Sequence, residues 1–243
     1  MKGCLIIHGY TGGPYEVHPL VNYLKEETDW FINVPVLPGH GEELALENVS
    51  YEVWLEAAED ALKQMLETCE EVYVIGFSMG GMIAAYLTAQ YDIDRLVLLA
   101  TARKYISFRH LSSYIGELIG DRFRGRLHEN KLYSHYKGKM GTVPFKASIE
   151  FMRLVNQTKQ YLSEIQSPVL IAQGQKDMIV PAKSAYYLDK EIGSEHKEVI
   201  LFEQSNHLIC LGSDREVLNR KILTFLTQDL ECEEEEMTSS ASK

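Results

Sequence analysis

Three residue types that can move a proton between them, serine, histidine and aspartate, occur here at the ends of apolar runs. Ser78 lies in "VYVIGFSMGG" (72–81), where Gly76-x-Ser78-x-Gly80 fits the G-x-S-x-G pattern of a nucleophile elbow. In that arrangement a strand turns sharply into a helix, and small residues two before and two after the serine let the two approach closely. A serine hydroxyl is a weak nucleophile at neutral pH, so it needs a general base, and the base needs an acid to orient it. In the fold that carries such an elbow the expected chain order is serine, acid, histidine, each just beyond a strand's C-terminal end. Asp177, three residues past "PVLIAQG" (168–174), and His207, in "QSNHLI" after "EVILFE" (198–203), meet it. Asp189, Asp214 and Glu203 compete for the acid. Asp189 falls within an expected helix, and Asp214 at the start of another, where capping explains it better. Of the eight histidines, His207 is the one that follows the last expected strand and comes after Asp177.

Acyl transfer through a serine builds an oxyanion that wants two preorganised donors: one from the residue after the nucleophile, one from a loop after an early strand. "CLIIHGYTGG" (4–13) supplies such a loop, so the backbone N–H groups of Met79 and Tyr10 are the expected donors. His8, in the same loop, and His40, in "VPVLPGHGEE", read as structural histidines. No G-x-x-x-x-G-K-[ST] and no G-x-G-x-x-G occurs, which gives nucleotide binding no support, and the chemistry calls for neither cofactor nor metal.

Six short apolar runs are the candidate strands: 4–7, 32–36, 72–77, 95–100, 168–174 and 198–203. Their alternation with helix-period segments predicts an α/β fold, a mostly parallel central sheet flanked by helices. In the segment after Ser50, an expected N-cap, Val53, Ala57, Ala58, Ala61, Leu62, Met65 and Leu66 recur at helical spacing. Further helices are expected at 79–91 and 213–228, and Pro181 reads as a helix start. Residues 104–163 break the rhythm, rich in Arg, His, Tyr and Gly with no strand-like run, and a connection that long has structure or function of its own. They are read as a helical cap insertion over the strand ends, dividing a core of 1–103 and 164–230.

The bulk composition narrows the partners. A net charge of −11 over 243 residues argues against a nucleic-acid partner. Part of it sits in the tail 231–243, "CEEEEMTSSASK" after Glu231, expected to be disordered because it has too little apolar area to bury. The four cysteines, Cys4, Cys69, Cys210 and Cys232, show no paired or metal-type spacing, as expected of thiols in a reducing compartment. The apolar stretch at the start is too short for a signal peptide, and no segment has the 18 or so apolar residues of a membrane span. A cytoplasmic location is expected, which leaves the sequons at Asn48 and Asn156 without meaning.

Taken in order, "HGYTGG", "LPGHG", "GFSMGG", "GQKDMIVP" and "EQSNHLI" resemble the α/β-hydrolase superfamily, and within it the small bacterial carboxylesterases related to monoacylglycerol lipases. The resemblance implies a triad of Ser78, Asp177 and His207, an oxyanion hole at Tyr10 and Met79, and a small helical cap after the strand at 95–100. It also implies cofactor-free hydrolysis of short- to medium-chain carboxylic esters through an acyl-enzyme. A monoacylglycerol lipase or a thioesterase would use the same triad. A non-catalytic ligand-binding homologue is disfavoured by the presence of all three triad residues. The chain departs from its relatives at the start: the His-Gly strand begins almost at Met1, where members often carry an extra strand or more.

Overall fold

The computed structural model describes residues 1–103 and 143–228. Positions 104–142 of the expected cap, the expected tail at 231–243 and Cys232 lie outside the described residues.

Six strands form one sheet: β1 (Lys2–Ile7), β2 (Phe31–Asn33), β3 (Glu71–Phe77), β4 (Arg95–Leu99), β5 (Val169–Gly174) and β6 (Lys197–Phe202). Their order is β2-β1-β3-β4-β5-β6, and every neighbouring pair is parallel. Helices connect them: α1 (His18–Glu27), α2 (Tyr51–Leu66), α3 (Met79–Gln90), α4 (Phe145–Thr158), α5 (Lys183–Glu191) and α6 (Arg215–Thr227). A parallel sheet is covered on both faces, which is why its strands read as continuous apolar runs rather than alternating ones.

Strand period two sorts those runs into two cores. Leu5, Ile7, Val72, Val74, Leu96, Leu98, Val169 and Ile171 face one layer, with buried side chains of α2, α3, α4 and α5. Cys4, Ile6, Tyr73, Ile75, Phe77, Val97, Leu99 and Leu170 face the other, with α1 and α6. The mostly parallel sheet flanked by helices is therefore as expected.

Local differences have local causes. The second strand ends at Asn33, short of the expected 36, at a sheet edge with a partner on one side only. On α2 the buried set is Trp54, Ala58, Ala61, Leu62 and Met65, while Val53 is exposed. Trp54 takes the inward position because its indole N–H donates to the Pro38 carbonyl at 3.0 Å, which a valine could not do. Ser50 and Asp214 stand at the N-cap positions of α2 and α6 without a capping side-chain bond. Asp214 instead accepts a hydrogen bond from the Ser205 hydroxyl at 2.8 Å. α5 starts at Lys183, two residues after Pro181. Helix α1 has no counterpart in the sequence expectations; it buries Leu20, Val21 and Leu24. Among the described residues no helix is long and apolar enough to cross a membrane, and Cys4, Cys69 and Cys210 are buried free thiols.

Candidate active site

The C-terminal ends of β1, β3 and β4 carry the strain. Among the described residues the non-glycine positive φ values are at Thr11 (62°), Ser78 (54°) and Ala100 (45°), one just past each of those strands. Such backbone is disfavoured for a residue with a Cβ and persists only where the surroundings over-determine it. For Ser78 the surroundings are plain. Its N–H donates to Leu99 O at 2.8 Å, and its carbonyl accepts from Gly81 at 3.1 Å and Ala102 at 3.2 Å.

The glycines are steric requirements. A Cβ on Gly76 would stand 2.3 Å from Gly80 O, one on Gly80 2.3 Å from Ile7 O, and one on Gly81 2.1 Å from the Thr101 hydroxyl. Helix α3 thus begins pressed against the ends of β1 and β3, whose residues Ile7 and Gly76 are paired.

Ser78, Asp177 and His207 come together. The Ser78 hydroxyl lies 3.0 Å from His207 Nε2, and His207 Nδ1 lies 2.7 Å from Asp177 Oδ2. All three are buried. Asp177 Oδ1 accepts the amides of Ile179 and Val180, each at 2.8 Å, so one carboxylate oxygen is tied to the backbone and the other meets the imidazole. With a carboxylate beside it, Nδ1 is the donor, and Nε2 faces Ser78 as an acceptor.

The loops after β5 and β6 interlock to make this contact. A Cβ on Gly174 would be 2.4 Å from Ser205 O, and the Lys176 amide donates to that same carbonyl at 3.0 Å. Asn206 Oδ1 accepts the Leu208 amide at 3.2 Å, turning the chain around His207. Phe77 packs beneath the imidazole with ring centroids 5.2 Å apart.

Met79 is the first residue of α3, where an amide has no partner one turn back inside its own helix. Tyr10 lies in the turn after β1, brought beside α3 by the close approach at Gly80, whose Cβ would also meet His8 O at 2.5 Å. Its ring is stacked on Phe151 of α4, centroids 4.8 Å apart, and its hydroxyl is 3.3 Å from that of Ser148. Burial pushes the Tyr10 phenol up to about 12. His8 accepts the Leu37 amide at Nε2, 3.1 Å, and its Nδ1 faces Gly9 O at 2.9 Å, the structural part expected of it. His40 likewise sits against Pro38 O and the Trp54 ring.

Two residues of this region had not been singled out in the sequence. Gln173 Nε2 donates to Asp177 Oδ2 at 2.9 Å and to Val180 O at 3.0 Å, locking the acid loop from inside β5. Its signal was available: it is the polar residue of the buried strand "VLIAQG". Glu16 is 3% exposed, and its carboxylate accepts the Gly9 amide at 2.9 Å. An acid two residues after Pro14 looks in sequence like any turn residue. Among the described residues no group of three or more His, Cys, Asp or Glu side chains is placed to hold a metal ion.

The chain is 27% identical over 235 residues to a thermostable monoacylglycerol lipase of Bacillus sp. strain H-257, covering 93% of this chain and 90% of that one. It is 24% identical over 240 residues to a carboxylesterase of Bacillus subtilis strain 168, covering 93% and 92%. Among solved structures, the monoacylglycerol lipase of Paleococcus ferrophilus shares the fold with a TM-score of 0.70 at 17% identity, covering 92% of this chain and 93% of that one. Residues 2–214 match the family described as serine aminopeptidase, S33. The chain therefore belongs to that family of α/β-hydrolase enzymes, as a lipase- or esterase-type hydrolase related to monoacylglycerol lipases.

Proposed function

We propose that the protein is a serine carboxylesterase that hydrolyses short- to medium-chain carboxylic esters through an acyl-enzyme. The observation that carries this reading is the unbroken relay from the Ser78 hydroxyl through His207 to Asp177, at 3.0 and 2.7 Å. Ser78 Oγ attacks the ester carbonyl carbon while its proton passes to His207 Nε2. The carbonyl oxygen becomes an oxyanion, held by the Tyr10 and Met79 amides. Asp177 keeps the proton on Nδ1 and stabilises the imidazolium. The intermediate collapses, the C–O bond to the alcohol breaks, and His207 returns its proton to the departing oxygen. A water then gives a proton to His207 as its oxygen attacks the acyl carbon. The second collapse frees the acid, and Ser78 recovers its proton from His207. In this reading residues 104–163 form the cap over 1–103 and 164–230, with α4 as its described part.

Turnover of p-nitrophenyl butyrate by Ser78→Ala tests the assignment. The expected loss in kcat is on the order of 10⁶. A variant that keeps more than a few per cent of the activity removes Ser78 from the nucleophile's role. A wild type that cleaves aminoacyl p-nitroanilides and leaves esters alone overturns the esterase reading while keeping Ser78 as the nucleophile. The likeness to the Bacillus monoacylglycerol lipase over 93% of the chain favours monoacylglycerol hydrolysis as a second reading. A chain-length series separates the two: a rate optimum at two to four acyl carbons fits the first, one at ten or more the second.

A further inference from the structure

Glu16 is a buried carboxylate at the end of a 3₁₀ turn, Pro14–Glu16, directly beneath the loop that carries Tyr10. Taking a carboxylate out of water is strongly unfavourable unless donors meet it, so a buried glutamate marks a place where those donors matter. One is the Gly9 amide, 2.9 Å from Oε2. The loop is moulded on the carboxylate. A Cβ on Gly12 would stand 1.8 Å from Oε2 and 2.0 Å from Cδ, and one on Gly9 would stand 3.2 Å from Oε2 and 3.1 Å from the Phe77 ring.

The charge of Glu16 is felt by the buried thiol of Cys210, in the 3₁₀ turn Ile209–Leu211. Thr11, at φ 62°, lies in the same loop as Tyr10, next to Gly12. The Tyr10 amide shares its peptide plane with the Gly9 carbonyl, which accepts from the Gly12 amide at 3.4 Å and faces His8 Nδ1 at 2.9 Å, so a carboxylate that binds the Gly9 amide on one side and packs under Gly12 on the other holds both peptide planes that flank Gly9.

We propose that Glu16 is the positioning residue of the oxyanion loop: its carboxylate, by accepting the Gly9 amide and filling the space under Gly12, aims the Tyr10 N–H at the developing oxyanion. This rests on the esterase reading above. An oxyanion donor contributes only as the tetrahedral intermediate forms, so its misplacement lowers kcat and leaves ester binding nearly as it was.

The test combines kinetics with an observable that needs no turnover. In Glu16→Ala, kcat for p-nitrophenyl butyrate falls roughly 10–100-fold, the scale of a misplacement of about 1 Å, while KM changes by less than about threefold. Glu16→Gln keeps an acceptor oxygen of the same reach and restores most of kcat. Amide hydrogen exchange across 8–13 accelerates in Glu16→Ala, with the rest of the sheet unchanged. The proposal is overturned by wild-type kcat in Glu16→Ala, by a Glu16→Gln as damaged as Glu16→Ala, or by a rise in KM in place of a fall in kcat. Exchange that speeds up evenly over the whole domain overturns it too, because it marks general loosening. If the wild type shows no Ser78-dependent turnover, the esterase reading fails by itself. Exchange at 8–13 then still decides whether Glu16 sets the loop.

Discussion

At the scale of the residue, the two oxygens of Asp177 have separate tasks. Oδ1 accepts the amides of Ile179 and Val180, and Oδ2 meets His207 Nδ1 and Gln173 Nε2. That division predicts the outcome of Asp177→Asn. The two backbone donors would hold the new carbonyl oxygen at the Oδ1 position, which puts the amide NH₂ where Oδ2 was. There it presents a hydrogen to Nδ1, forcing the imidazole proton onto Nε2, so that His207 could no longer take the proton of Ser78. A fall in kcat on the order of 10⁴ is expected, as where a triad aspartate elsewhere is made asparagine, with the fold intact by circular dichroism. A loss under tenfold would mean that Asp177 does not hold the tautomer. Sequence order named Ser78, Asp177 and His207 because each follows a strand. Glu16 follows no strand and no motif, and Gln173 shows only as a polar residue in an apolar run, so the partners of both are made by folding.

At the scale of the element, the site depends on how closely α3 lies on β1. Gly80 marks the contact, and what a Cβ there would strike, Ile7 O at 2.3 Å and His8 O at 2.5 Å, is backbone that cannot rotate away. Gly80→Ala therefore has to lift the start of α3. Overpacking of this kind costs about 1–3 kcal/mol, which lowers Tm by roughly 3–10 °C in a domain of this size. The lift carries Ser78 and Met79 together, so a 10²-fold or greater loss of esterase kcat is expected in the fraction that stays folded. Thermal denaturation beside kinetics at 20 °C checks both, and full activity with unchanged Tm would refute the steric argument. Element positions were largely legible, because buried parallel strands are apolar throughout. The inward face of α2 was misjudged at Val53 and Trp54, where a large indole with a polar edge found a carbonyl partner that no periodicity rule contains.

At the scale of the molecule, the two-sided core buries groups that can ionise at high pH. Burial pushes the thiol of Cys210 up to about 12, with the Glu16 charge adding to it, and the phenol of Tyr10 also up to about 12. In the unfolded chain a thiol and a phenol ionise near 9 and 10. Between those values and 12 the unfolded state has lost protons that the folded state keeps, so stability is complete below about pH 9 and falls as pH rises toward 12. Each such group contributes a slope of up to about 1.4 kcal/mol per pH unit. Urea unfolding at pH 8, 10 and 11 should show the midpoint falling, and Cys210→Ala should fall less steeply from its own starting value. A midpoint that stays level from pH 8 to 11 would contradict this.

By itself the sequence determined the strand-and-helix alternation, the parallel sheet, and the three residues at strand ends whose types and order suit proton transfer. Those features are local: apolar runs, glycines at a tight turn, and chain order. Only the tertiary structure decided that Ser78, His207 and Asp177 lie within hydrogen-bond reach, since residues 129 and 30 positions apart meet through the packing of the turns after β3, β5 and β6. It alone shows Gln173 on Asp177 and Glu16 beneath Gly9, because a buried polar side chain takes its meaning from the partners that repay its desolvation, and those partners are neighbours in space.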